Sequence, residues 1–157
     1  MKTTRRQAMQ IGAGVAALGA AASAGLMPQR ALAADAPGWN APLFEAKSFA
    51  DAAKIWGGTP TESTDVSIIG PDIAENGAVV PVGIKSAAAG ATALGIIVEK
   101  NPTVLVGVFN LTDATVPNVA TRVKMAQTSN VYAVAKVGDK LLFSKKEIKV
   151  TLGGCGG

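Results

Sequence analysis

A chain of 157 residues, 48% hydrophobic and 17% charged, has room for a targeting segment and one compact domain. It contains no histidine and one cysteine, which excludes a Ser-His-Asp triad, a Cys-His pair, a histidine metal site and an internal disulfide. The formal charge of +4 suggests a basic protein, but that excess lies in residues 1–33.

Residues 1–33 read as an export signal. Thr4-Arg5-Arg6-Gln7 supplies paired arginines, and an Ala/Gly-dominated apolar run follows from Ile11 to Leu26. Ala31-Leu32-Ala33 then places small residues where a signal peptidase needs them, with cleavage expected before Ala34. Glycines at 12, 14, 19 and 25 leave the run too soft for a membrane span, which needs roughly 20 strongly apolar residues. A twin-arginine signal is the reading, although Ala8 stands where a bulky apolar residue is usual. The alternative is a general secretory signal that happens to hold two arginines. Either exports the protein and leaves no membrane attachment after cleavage. Removal takes away Lys2, Arg5, Arg6 and Arg30 but no acid, so 15 basic against 11 acidic residues falls to parity. The mature surface makes no case for nucleic acid, and Lys145, Lys146 and Lys149 read as a solvated strand face.

The domain is expected to span residues 34–152. After a short leader, Pro42 suits the first turn of a helix. Ala46, Phe49, Ala50, Ala53 and Trp56 recur at three- and four-residue spacing on one face, with Glu45, Lys47, Ser48, Asp51 and Lys54 on the other. Gly57-Gly58 ends it. After Thr64 the pattern is of short strands: Val66–Ile69, Val79–Ile84, Leu94–Val98, Thr103–Phe109, Val119–Ala126, Val131–Val137, Lys140–Phe143 and Glu147–Leu152. Pro71, Asn76-Gly77, Gly90, Asn101-Pro102, Pro117-Asn118 and Gly138-Asp139 punctuate them. This predicts a mainly β fold, an immunoglobulin-like antiparallel sandwich with an N-terminal helix and a flexible C-terminal tail. One strand breaks the in-out alternation: Val104, Val106 and Val108 face one way, and Leu105 and Phe109 the other. Either the helix covers the second face, or Val104, Leu105, Val106 and Phe109 belong to a partner interface.

Gly153-Gly154-Cys155-Gly156-Gly157 closes the chain. Glycine is the residue that loses most backbone entropy on ordering, so residues 153–157 read as a swinging arm. Three residues beyond Leu152, the thiol reaches about 10 Å past the last strand. A thiol of ordinary pKa near 8.5 is only about 3% thiolate at pH 7, so activation must come from the site that receives the arm. This is a carrier's chemistry: covalent attachment through Cys155, with no catalytic residue, metal site or cofactor in the chain itself. Two other readings are a secreted structural β-sandwich that uses Cys155 only for an intermolecular disulfide, and a ubiquitin-like carrier that uses the terminal Gly156-Gly157. The second needs cytosolic activation and leaves the cysteine unexplained.

The leader, the helix over Ala46–Trp56, Pro71-Asp72-Ile73-Ala74-Glu75-Asn76-Gly77 followed by Val79-Val80-Pro81-Val82, and Lys149-Val150-Thr151-Leu152-Gly153-Gly154-Cys155-Gly156-Gly157 together resemble the SoxY family. These are sulfur-carrier subunits of a periplasmic thiosulfate-oxidising multienzyme system. The resemblance implies a periplasmic protein that forms a heterodimer with a SoxZ-like subunit. It implies that a c-type cytochrome couples thiosulfate to Cys155, that a dimanganese hydrolase then releases sulfate, and that a sulfur dehydrogenase, where present, oxidises the remaining sulfur.

Overall fold

The computed structural model describes residues 40–151. The export signal, the start of the predicted domain, Cys155 and the four tail glycines lie outside the described residues.

Two short helices stand where one was expected. Asn40 opens α1 (Ala41–Glu45), its side chain accepting the Leu43 N–H at 3.2 Å. Ser48 then caps α2 (Phe49–Trp56) by accepting the Asp51 N–H at 3.0 Å. A good N-cap inside an apolar-periodic stretch restarts the helix there, because its hydroxyl satisfies a backbone donor only from a non-helical position. The break shifts the helical phase: Ala52 is fully buried, whereas Ala50, assigned to the apolar stripe, is exposed. Gly57 ends α2 at φ 72°, as its position in the sequence predicts.

Nine strands follow: β1 (Thr59–Glu62), β2 (Val66–Ile69), β3 (Ile73–Ala74), β4 (Val80–Ser86), β5 (Ala91–Val98), β6 (Leu105–Asn110), β7 (Asn118–Val123), β8 (Ser129–Val137) and β9 (Lys140–Val150). One sheet has the order β1-β9-β8-β5-β6, with β3 also on β9; the other has the order β2-β4-β7. Pairing is antiparallel except that β1 and β3 both run parallel to β9. Strand β9 is continuous where two strands were predicted. Ser144, Lys145 and Lys146 carry no apolar signal, yet they pair with Ala133, Tyr132 and Val131 on β8.

The two sheets form a β-sandwich. Val80, Val82 and Ile84 of β4 alternate inward against Leu94, Ile96 and Val98 of β5, Val131, Ala133 and Ala135 of β8, and Ile148 of β9. The helices form a third layer on the outer face of the larger sheet. There Leu43, Ala52, Ala53 and Trp56 cover Ala93, Ile97, Tyr132, Val134 and Leu141. Strands β5 and β8 are therefore buried on both faces, which is why they read as nearly unbroken apolar runs. Packing is closest at Gly95, where a Cβ would stand 2.5 and 2.7 Å from the Trp56 ring.

Candidate functional site

Cys155, the residue expected to carry the chemistry, follows the end of β9 by five positions in the sequence. The last described residues are held along both edges. On one edge the Lys149 N–H donates to the Asp72 carbonyl at 2.9 Å, and the Thr151 N–H donates to the Ala74 carbonyl at 3.1 Å. This is the short parallel ladder with β3. On the other edge the Val150 N–H donates to the Thr128 hydroxyl at 3.0 Å.

Lys146 ties the same region together with its side chain. Its ammonium donates to the Gly70 carbonyl at 2.6 Å and pairs with the Asp72 carboxylate at 2.9 Å. The Lys146 hydrogen bond, and then its charge, hold the Asp72 carboxyl below its ordinary value of 3.8. The pair is open to solvent on the Asp72 side, so its worth as a bare ion pair is small. Beyond β3, the Asn76 side chain accepts the Ala78 N–H at 2.9 Å, and the Gly77 carbonyl accepts the Met125 N–H at 2.7 Å. Residues 70–77 are thus pinned at both ends alongside the end of β9. Sequence reading treated them as punctuation between strands, because two residues of strand framed by Pro71 and Asn76-Gly77 carry no periodic signal.

Beside this root lies a shallow groove of about 440 Å³ on the outer face of the smaller sheet. Ile69, Pro71, Pro81, Gly83 and Ala120 line it. Ile69 and, four residues on, Ile73 are among the most exposed large apolar side chains described, at 58% and 56%.

The four residues expected at a partner interface separate into two pairs. Val104 and Leu105 are buried at 1% and 3% in the cluster formed by the helices. The helical layer of the chain itself covers them, as one reading expected for Leu105 but not for Val104, which was placed on the opposite face. Val106 and Phe109 are half-buried and pack on the inter-sheet core. The register between β5 and β6 slips at Ile96/Ile97, with Gly107 and Leu105 as the partners and Val106 the extra residue. Beyond this bulge Val106 and Phe109 share the inter-sheet side while Leu105 and Val108 share the helical side, so strict alternation wrongly grouped Val106 with Val108 and Leu105 with Phe109. Strand β6 ends the order of its sheet.

Among the described residues, no three His, Cys, Asp or Glu side chains gather as a metal site, and no helix is long and apolar enough to cross a membrane.

With this geometry in place, the comparisons are specific. Residues 52–155 match the family model of "Sulfur oxidation protein SoxY", a stretch that ends on Cys155. Among solved structures, the chain is similar to the sulfur carrier protein SoxY from Chlorobium limicola f thiosulfatophilum. The two are 39% identical with a TM-score of 0.59, over 66% of this chain and 94% of that one. No curated protein matches the chain.

Proposed function

Since the chain belongs to the SoxY family of sulfur oxidation proteins, we propose that it carries sulfur intermediates as covalent adducts of Cys155 and presents them to separate enzymes. The observation that carries this reading is the family match, which runs through the folded domain and on to the chain's one thiol. The similarity to a sulfur carrier protein at 39% identity supports it. The protein acts as a carrier subunit, and the catalysis belongs to its partners.

The chemistry needs only a thiol that partner enzymes can reach. Thiosulfate and the Cys155 thiol join in an oxidative step that forms one S–S bond, releases one proton and delivers two electrons to an acceptor, a c-type cytochrome. The adduct is Cys155–S–S–SO₃⁻. Water then attacks the sulfonate sulfur at a dimanganese hydrolase. Sulfate leaves with two protons, and a persulfide stays on Cys155. A sulfur dehydrogenase, where the organism has one, would oxidise that persulfide. The paired arginines of the expected leader support the periplasm as the setting of these steps, with a SoxZ-like subunit as the carrier's companion.

Substituting Cys155→Ser tests the assignment. Oxygen cannot form the exchangeable linkage, so thiosulfate-dependent electron transfer by the reconstituted system should stop. Thermal unfolding should coincide with that of the unaltered protein. Retained turnover with serine would refute attachment at Cys155.

A further inference from the structure

The family motif Pro71–Gly77 contains no group that the carrier chemistry uses, yet its backbone is committed to one place. It supplies two carbonyls, of Asp72 and Ala74, to the last N–H groups of β9. Its other end is fastened to Met125 through the Gly77 carbonyl. Lys146 bridges its entrance, reaching both Gly70 and Asp72. Between Phe143, where β1 ends, and Lys149, where β3 begins, no strand among the described residues pairs with this edge of β9, and Lys146 reaches across the gap to Gly70 and Asp72.

We propose that residues 70–77 form a collar that fixes the root of the carrier arm at Thr151, and that Lys146 is its clasp, a positioning residue for delivery of Cys155. The inference rests on the carrier reading for its purpose, but its geometry stands independently. With the root held at Thr151, Cys155 lies four residues away and reaches at most about 14 Å. If the collar opens and β9 frays to Glu147, the tether doubles to eight residues. Effective concentration at a site docked on the body falls roughly as the −3/2 power of tether length, so doubling it costs about threefold. A fixed root also gives every partner enzyme the same origin for the arm.

Parallel two-residue ladders are weak on their own, so the side-chain clasp matters more here than it would in a long strand. Lys146 contributes a charged donor to a backbone carbonyl, a stronger bond than a neutral one. Removing it leaves the Gly70 carbonyl to water and releases Asp72.

The experiment uses the chain's one cysteine, which allows a nitroxide to be attached only at residue 155. In the unaltered protein, paramagnetic broadening of backbone amides should centre on the neighbourhood of Ala74 and Thr128. In Lys146→Met the broadening should spread, and exchange of the Lys149 and Thr151 amides should accelerate about tenfold. Amides of β5 and β8 should keep their protection, and reaction of unlabelled Cys155 with a small aromatic disulfide should keep its rate. Lys146→Arg should restore the narrow pattern. Asp72→Ala, which removes one of the two clasp partners without touching β9, should show an intermediate effect. Unchanged broadening and exchange in both Lys146→Met and Asp72→Ala would overturn the collar, whatever Cys155 is found to carry. A Cys155 that takes up no sulfur during thiosulfate oxidation, with the broadening changed as described, would instead count against the carrier reading and leave the collar standing.

Discussion

Gly95 and Tyr132 show how single positions set the limits of this domain. Gly95 lies under the Trp56 ring, so even a methyl group there must move a packed indole. Gly95→Ala is expected to destabilise by about 1–3 kcal/mol, the usual cost of overpacking. Gly107→Ala is the control, since its nearest contact would be an ordinary 3.7 Å, and the change should stay within about 0.5 kcal/mol. Thermal unfolding of the two variants checks the contrast. Tyr132 stacks on Phe49 at 4.5 Å, and its hydroxyl donates to the Glu99 carboxylate at 3.3 Å. Burial first, and then the Glu99 charge, raise its pKa above 10.0. The fold therefore favours the neutral phenol. That contribution is intact below pH 10 and is lost as pH rises through the folded-state value. Because Tyr132 is the only tyrosine, phenolate absorbance reports it alone. The native titration should have a midpoint above 10, and Tyr132→Phe should flatten the alkaline fall in melting temperature.

At the scale of elements, the long apolar patterns were legible and the short or interrupted ones were not. Strand β2 was found with its bounds, and β4 to β8 within a few residues, because β-branched runs between turn signals mark them. The exposed Thr59–Glu62 and the two-residue β3 escaped. Both are strands because β9 offers them a parallel edge, a tertiary fact with no local signature. The helix break at Ser48 was visible in principle, as a capping residue within the periodic stretch. Ser48→Ala should cost about 1 kcal/mol, measured by denaturant unfolding, through loss of the bond to the Asp51 N–H. The strand Val104–Phe109 was recognised as two-sided, and the burial of Val104 and Leu105 answers to the helices. Leu105→Asp therefore probes the domain's own core. It would bury an unpaired charge and should destabilise the isolated domain by about 3 kcal/mol or more, seen in its unfolding with no partner present.

The molecule as a whole joins a three-layer body to the glycine-flanked cysteine on which the proposed cargo rides. The body was readable as a class from strand count and punctuation; its collar was not, because carbonyls that serve another strand leave no trace in side-chain pattern. Cys155 stands out for a different reason: it is the one thiol of the sequence, and a glycine pair flanks it on each side. If recognition of a SoxZ-like subunit belongs to the body, deleting residues 153–157 should leave a coexpressed pair assembled, as judged by its size in solution. The central claim, that Cys155 holds the cargo, is tested most directly by intact-mass measurement of protein isolated from cells oxidising thiosulfate. The account predicts added mass equal to sulfur or oxidised sulfur, located on Cys155 and removed by a thiol reductant. A mature chain that stays unmodified while thiosulfate is being turned over would contradict it.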